Sequence, residues 1–205
     1  MREKENILDL IRLSPENIGF IFYPKSPRFV GEDFDVEITA SVPPEITRTG
    51  VFVNSPTNYI MEKISRYGLH AVQLHGSEKP GQCEELSSAG VVVIKAFSVD
   101  DRTDFNMTDE YYGSCDYFLF DTKTNSPGGS GKKFDWNVLK GYTGETPFFL
   151  SGGIQPGDEQ QIARIIGLPL YAIDINSRFE MAPGMKNIEL ISTFIDNIRK
   201  NKYGL

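Results

Sequence analysis

The chain has 205 residues and a formal net charge of −7, and it contains 40% hydrophobic and 24% charged residues. This composition is typical of a globular protein and excludes a disordered or collagen-like chain. The acidic balance disfavours binding to nucleic acid, but it permits a small phosphorylated ligand held by backbone amides. Two cysteines, Cys83 and Cys115, are too few for a disulfide framework and fit a reducing cytoplasm. The apolar stretches are too short to span a bilayer, so we expect no membrane partner.

Short apolar runs bounded by Gly, Pro, Asn, Asp or Ser recur along the chain, which is the pattern of β-strands. They predict seven strands, at 18–23, 50–54, 71–75, 91–96, 117–121, 147–151 and 171–175. The apolar periodicity and the capping residues between them predict helices at 3–13, 32–41, 55–67, 80–89, 108–112, 135–142, 158–166 and 187–200. No shift in composition marks a second domain, so we expect a single domain over 1–205.

Strands that alternate with helices predict βα units and a parallel sheet. An open doubly wound sheet and a closed eight-stranded barrel both fit this α/β pattern. The chain starts with a helix and continues with seven strand–helix units, whereas a closed barrel needs eight strands. On the barrel interpretation, the element missing from the pattern is a strand before residue 1. The strand count alone leaves both architectures open.

Polar residues at the carboxyl ends of the strands are the candidates for chemistry, because ligands bind at that edge of a parallel sheet. Asp121 ends the strand in FLFDT, 118–122, where its carboxyl suits a general acid, although a loop-capping role fits equally well. Arg28 lies in the proline-stiffened loop YPKSPRF, 23–29, and suits paired hydrogen bonds to a carboxylate. A solvated basic loop is the alternative. Lys95 also ends a predicted strand, so we expect it at the same edge.

Two further groups of residues are expected at this edge. Gln73 and His75 alternate along VQLHG, 72–76, and therefore share the strand face that points into the barrel or its mouth, although a structural role is the commoner one for such a histidine. The small residues of LSGGIQP, 150–156, allow a ligand to approach the backbone, and their amides together with those after Asp174 can bind a phosphate.

The glycine-rich run SPGGSGKKFDW, 126–136, predicts a loop hinged on Gly128, Gly129 and Gly131. Such a loop suits a lid over a substrate. A plain flexible connection, with Phe134 and Trp136 packed against the next helix, is the alternative.

Taken together, these segments resemble the phosphoribosylanthranilate isomerase family. The resemblance covers nearly the whole chain and rests on GFIFYPKSPRFV (19–30), GVFVN (50–54), VQLHG (72–76), VIKAF (93–97), LFDT (119–122), PGGSGKKFDW (127–136), LSGGIQP (150–156) and APGMKN (182–187). It implies a (βα)8 TIM barrel, which in this chain would be truncated at its amino end to a helix plus seven βα units.

The resemblance also implies a reaction of tryptophan biosynthesis, the Amadori rearrangement of an aminoaldose phosphate to an aminoketose phosphate. An acid protonates the furanose ring oxygen, the ring opens to a Schiff base, and a base removes the proton from the neighbouring carbon. Asp121 matches the acid, Arg28 the residue that holds the anthranilate carboxylate, and Gly152, Gly153 and Ser177 the phosphate-binding segment, with Gln73, His75 and Asp174 as supporting residues. No metal or organic cofactor is implied, and we expect a monomer or a homodimer.

The chain departs from the family at its start. The family's base is a cysteine in a Lys-x-Cys-Gly-Met-Arg segment, of which Met1 and Arg2 match the last two residues. Cys115 precedes the strand that ends in Asp121, and Cys83 lies on a predicted outer helix, so we expect neither to replace that base. We therefore expect this chain to be nearly inactive, and we expect it to be poorly stable because a barrel without its first strand exposes two sheet edges.

A second departure affects the phosphate-binding segment. In the run DINSRFE, Arg178 stands where the family usually has a glycine, which leaves Gly152, Gly153 and Ser177 as the expected contacts.

Three functional hypotheses follow from the sequence. In the first, the gene product is the isomerase and this chain starts at an internal Met. In the second, it is a shortened homologue that binds sugar phosphate without isomerising it, or isomerises it only as a partner's subunit. In the third, it is a related phosphate-binding barrel enzyme of histidine or tryptophan biosynthesis. The third is the least favoured, because YPKSPR, LFDT and PGGSGKKFDW are poorly shared with such enzymes. An in-frame Lys-x-Cys-Gly upstream of Met1 would favour the first hypothesis, and a stop codon there the second.

Overall fold

A single parallel sheet organises the part of the chain that the computed structural model describes, residues 1–123 and 133–203. Its strands are β1 (Asn17–Ile21), β2 (Thr47–Phe52), β3 (Ala71–Leu74), β4 (Val92–Val99), β5 (Tyr117–Thr122), β6 (Phe148–Leu150) and β7 (Leu170–Ile173). Each strand pairs in parallel with the next one along the chain, in the order β1 to β7. The seven predicted strands are confirmed, with shifts of a few residues at their ends.

Helices connect the strands. They are α1 (Lys4–Ile11), α2 (Val36–Ala40), α3 (Thr57–Tyr67), α4 (Pro80–Ser88), α5 (Glu159–Ala163) and α6 (Ile188–Tyr203), with 3-10 helices at Phe105–Tyr111, Trp136–Gly141 and Ser177–Phe179. The segments predicted as helices at 108–112 and 135–142 are thus 3-10 helices, each begun by an aspartate side chain that accepts a backbone N–H two residues on. The helix predicted at 32–41 is also shorter than expected, and it ends just before Pro43 and Pro44, which cannot continue it.

The two faces of the sheet are buried in different layers. Val72 and Leu74 belong to the large core between the sheet and the helices, together with Phe118 and Phe120. The opposite face carries a separate small cluster formed by Ala71, Ile94, Ala96, Leu119 and Phe149. This alternation follows from the two-residue repeat of a β-strand, and it defines an inner and an outer face.

The sheet curls so that the segments after its two terminal strands meet at their carboxyl ends. Arg28 lies in the loop after β1, and its Nη2 is 2.6 Å from Oε2 of Glu180, which follows β7. In a flat sheet, six strand spacings of about 4.8 Å would separate β1 from β7 by roughly 29 Å. The contact therefore indicates a curled sheet rather than a flat open one. The chain forms a curled half-barrel, which decides between the two architectures that the sequence left open.

A small antiparallel hairpin between β7 and α6 was not predicted from the sequence. Its strands are β8 (Glu180–Ala182) and β9 (Met185–Lys186), with Gly184 at φ +84° in the turn. Asn6 of α1 holds the hairpin through two hydrogen bonds to the backbone of Lys186, of 2.9 and 2.7 Å. These bonds fix the hairpin to the first helix. None of the described helices is both long and apolar enough to cross a membrane.

Candidate active site

Asp121 and His75 form a hydrogen-bonded pair at the carboxyl ends of two strands. Asp121 lies in β5 and pairs with Ser98 of β4, whereas His75 follows β3 directly. His75 Nε2 is 3.1 Å from Asp121 Oδ2. Their side chains are 30% and 27% exposed, so a ligand at the mouth can reach both. A carboxyl group held in this way can exchange a proton with a bound molecule.

Gly152 places its backbone directly against this acid. It follows β6 with φ +88°, and an ideal Cβ at this position would lie 2.6 Å from Asp121 Oδ1 and would also clash with Thr122. Gly153, with φ +67°, continues the same left-handed turn. The predicted acid and the predicted phosphate-binding glycines are therefore adjacent at one mouth, and only a residue without a side chain fits at position 152.

Asp174 adds a second carboxyl group to the mouth. It follows β7, and its Oδ2 accepts a hydrogen bond of 3.4 Å from Ser151 Oγ. Burial raises the pKa of Asp174, the charge of Asp121 raises it further, and Lys186 and His75 oppose the rise. Asp174 therefore retains its proton to a higher pH than an ordinary aspartate.

Arg28 is buried against Glu180 at the same end of the barrel. Its Nε lies 3.0 and 2.8 Å from the two carboxylate oxygens, and its Nη2 lies 2.6 Å from Oε2. Burial opposes ionisation of Glu180, but Arg28 and Lys186 outweigh that effect, so the pKa of Glu180 is lowered. Sequence reasoning missed Glu180, because nothing local in DINSRFE shows that its partner lies more than 150 positions earlier.

Lys186 joins this ion pair to the loop after β7. Its Nζ donates to Glu180 Oε1 at 3.1 Å and to Asn176 Oδ1 at 2.7 Å. Burial lowers the pKa of Lys186, and Glu180 opposes that effect. Asn176 directly precedes Ser177, the first residue of the 3-10 helix in the predicted phosphate segment. Lys186 lies in the run APGMKN, which contributed to the family resemblance but received no role of its own.

Lys95 is a correction to the sequence analysis. Although it ends a predicted strand, the strand alternation directs it to the outer face, where its side chain is 2% exposed. Its Nζ donates to the Glu78 carboxylate at 3.2 Å and to three backbone carbonyls. Lys95 therefore stabilises the layer between the sheet and the helices and does not line the mouth.

The remaining candidates differ in position. Gln73 is buried on the inner face, two residues below His75. The predicted lid falls mainly on residues 124–132, so Gly128, Gly129 and Gly131 lie outside the described residues. Phe134 and Trp136 are both buried, as the packing interpretation expects.

Neither cysteine lies at the mouth. Cys83 is buried on α4, and Cys115 is partly buried just before β5, at the opposite end of that strand from Asp121. Within residues 1–123 and 133–203, no group of three or more His, Cys, Asp or Glu side chains is placed to hold a metal ion.

Comparisons with known proteins agree with this architecture. The family model described as N-(5'phosphoribosyl)anthranilate (PRA) isomerase matches residues 1–197. The N-(5'-phosphoribosyl)anthranilate isomerase of Parabacteroides distasonis is 46% identical over 200 residues, covering 97% of this chain and 90% of the relative. The isomerase of Phocaeicola vulgatus is 42% identical over 200 residues, covering 98% and 95%.

Solved structures show the same similarity in three dimensions. The chain is similar to phosphoribosyl anthranilate isomerase from Thermotoga maritima, with a TM-score of 0.85, 32% identity, and coverage of 100% of this chain and 96% of that one. It is also similar to a phosphoribosyl anthranilate isomerase solved in complex with reduced 1-(o-carboxyphenylamino)-1-deoxyribulose 5-phosphate, with a TM-score of 0.82, 29% identity, and coverage of 100% and 96%. The chain therefore belongs to the phosphoribosylanthranilate isomerase family.

Proposed function

We propose that this chain acts in tryptophan biosynthesis, where it converts N-(5'-phosphoribosyl)anthranilate to 1-(2-carboxyphenylamino)-1-deoxyribulose 5-phosphate by an Amadori rearrangement. The observation that carries the proposal is the convergence at one mouth of a hydrogen-bonded acid, Asp121, and the glycine backbone at Gly152. Membership of the isomerase family supports it, as does the similarity to a family member solved with a reduced form of the product.

Asp121 supplies the proton for ring opening. Its carboxyl group protonates the furanose ring oxygen, the C1–O bond breaks, and the nitrogen lone pair forms the C=N bond of a Schiff base. The carboxylate left on Asp121 is stabilised by its hydrogen bond to His75. His75 engages Oδ2, while Oδ1 lies beside Gly152, so the orientation of the carboxyl group is set from both sides.

The substrate is held at its two charged ends. Arg28 binds the anthranilate carboxylate, and the backbone amides of Gly152, Gly153 and Ser177 bind the phosphate. Asp174 lies beside the phosphate segment, and its raised pKa reduces the negative charge that a phosphate would meet there. Gln73 lies on the floor of the mouth and supports its polar lining.

A second candidate function is binding of the sugar phosphate without isomerisation. The positions of Cys83 and Cys115 favour it, because neither can reach a substrate at this mouth to remove the proton from C2. The two functions differ in outcome: tight binding of a product analogue without turnover would select the second, and formation of the aminoketose phosphate would select the first.

The decisive experiment follows conversion of N-(5'-phosphoribosyl)anthranilate to the aminoketose phosphate by the full chain and by Asp121→Asn. Loss of the general acid should lower kcat by about 100-fold or more. Asp9→Asn, an exposed aspartate on α1, is the matched control and should retain the activity of the full chain. Equal and measurable activity of the full chain and Asp121→Asn would refute the assignment of Asp121, whereas a full chain without turnover would select the second candidate function.

We further infer a single domain that works in the cytoplasm as a monomer or a homodimer. One continuous sheet and the net charge of −7 support a protein whose partner is a small phosphorylated substrate rather than nucleic acid or a membrane. Size-exclusion chromatography with light scattering tests the oligomeric state, and a mass above two chains would contradict it.

A further inference from the structure

Three charged side chains are buried together beside the mouth. The side chains of Arg28, Glu180 and Lys186 are 10%, 4% and 9% exposed, and Glu180 is hydrogen-bonded to both cations. Buried ion pairs contribute little to stability, because removal of the charges from water offsets their attraction. Apolar side chains of similar size would serve folding as well, so this cluster at the mouth points to a role in ligand binding.

The geometry of the cluster leaves one edge of Arg28 available. In the part of the chain that the structure describes, the guanidinium donates to Glu180 through Nε and through one hydrogen of Nη2. The opposite edge, formed by Nη1 and the second hydrogen of Nη2, has the spacing that matches a carboxylate. Glu180 thus fixes the plane of the guanidinium and directs its other edge away from itself.

Lys186 determines the charge of the cluster. Arg28 and Glu180 alone would form a neutral pair with little attraction for an anion. With Lys186 the three side chains carry two positive charges and one negative charge, so the cluster itself is net positive, beside the carboxyl group of Asp174, which interacts with Lys186. In a partly desolvated site this charge favours an anionic ligand group more strongly than it would in water.

Lys186 also connects the cluster to the phosphate segment. Its Nζ donates to Glu180 Oε1 at 3.1 Å and to Asn176 Oδ1 at 2.7 Å, and Asn176 directly precedes Ser177. The buried ammonium group of Lys186 therefore bonds both to Glu180, which holds Arg28, and to Asn176, the neighbour of the phosphate-binding Ser177. These contacts link Arg28, through Glu180 and Lys186, to the segment that carries Ser177.

We propose that Glu180 and Lys186 are positioning residues that orient Arg28 and thereby select substrates carrying a carboxylate at a fixed distance from the phosphate. This inference rests on the proposed function, because it takes Arg28 as the group that meets the anthranilate carboxylate. Neither residue needs to touch the substrate, since both act through Arg28 and Asn176.

The test compares two non-reactive probes by isothermal titration calorimetry on the full chain. One probe is reduced 1-(2-carboxyphenylamino)-1-deoxyribulose 5-phosphate, and the other is the same compound with a plain phenylamino group. Glu180→Gln and Lys186→Met should each weaken binding of the carboxylate probe about tenfold or more, while binding of the phenylamino probe changes less than about twofold. Glu180→Asp retains the negative charge and should weaken binding of the carboxylate probe less than Glu180→Gln does.

Glu78→Gln is the matched control, because Glu78 forms a second buried ion pair, with Lys95, on the outer face. A general structural effect would weaken binding of both probes equally. Either that result for Glu180→Gln or unchanged binding of both probes would overturn the inference. If a glutamine at 180 prevents folding, Lys186→Met and Glu180→Asp give the same comparison. If the full chain binds neither probe, the proposed function itself is refuted. If the full chain discriminates between the two probes and the variants discriminate equally well, only the positioning role is refuted.

Discussion

Nε2 of His75 lies 3.1 Å from Oδ2 of Asp121, so the histidine after β3 contacts the carboxylate of β5 across the end of the intervening strand. The inward curl of the sheet brings the two side chains together, because both strands direct these positions to the inner face. With a proton on Nε2, the imidazole holds one carboxylate oxygen and leaves the other facing Gly152.

Replacement of His75 should therefore lower kcat more than it weakens substrate binding. We expect His75→Leu to reduce kcat roughly tenfold or more, because a hydrogen bond to a charged group contributes about 1.5–3 kcal/mol. KM should change little, and His75→Gln, whose amide can still donate, should recover part of the loss. His70→Leu is the control in steady-state kinetics, since His70 lies at the other end of β3. A purely KM effect for His75→Leu would contradict the orienting role.

Substitution of Gly152 tests the contact between the backbone and the acid. Gly152→Ala introduces a Cβ that would meet Asp121 Oδ1 at 2.6 Å, in addition to the strain of φ +88°. Gly157→Ala is the matched control, because Gly157 has φ +96° and no atom within 4 Å of an added Cβ. Gly157→Ala should cost about 1–2 kcal/mol in the free energy of unfolding and leave kcat unchanged.

Gly152→Ala should lower the free energy of unfolding more than Gly157→Ala does, and it should also lower kcat. Urea denaturation and steady-state kinetics on the two variants give this comparison. Equal stability and full activity of both variants would show that the backbone at 152 does not constrain Asp121.

The raised pKa of Asp174 predicts a stability change with pH. The folded chain holds this proton more tightly than the unfolded chain, so the stabilising effect of the protonated carboxyl is complete below the ordinary pKa of 3.8 and is lost as pH rises through the raised value. Asp174→Asn should therefore raise the free energy of unfolding at pH 7 and have a smaller effect near pH 4. Urea titrations at both pH values measure the difference, and a variant that is less stable at pH 7 would contradict the sign.

His70 predicts a pH effect of the opposite sign. Arg48 Nη2 donates to His70 Nε2 at 2.7 Å, which requires a neutral ring, and burial together with Arg48 lowers the pKa of His70 from 6.5. As pH falls below 6.5, the unfolded chain binds the proton first, so stability should decline until the folded histidine also becomes protonated. His70→Gln keeps an acceptor and should flatten this part of the stability profile between pH 7.5 and 5. An unchanged slope in that variant would exclude His70 as the cause.

Local sequence predicted much of the fold because each strand and helix carries its own periodicity and breakers. The seven strands, α3 ending at Gly68, and the positions of Asp121 and Gly152 at strand ends all follow from such patterns. The same reasoning misplaced Lys95, because the position of a residue near a strand end does not reveal which face its side chain takes. It also missed the hairpin of β8 and β9, whose short strands lack a repeating pattern.

By itself, the sequence determined that the chain alternates strands with helices and which polar residues follow the strands, since both depend on neighbours within a few positions. The tertiary structure decided that Arg28 meets Glu180, that Lys186 joins them to Asn176, and that Lys95 turns outward to Glu78. The contact between Arg28 and Glu180 depends on the curl of the sheet, which brings residues from opposite ends of the chain within a few ångströms of each other, whereas Lys95 meets Glu78 because β3 and β4 are neighbours in the sheet. No local pattern encodes the curl, because it arises from the packing of the whole sheet against its helices.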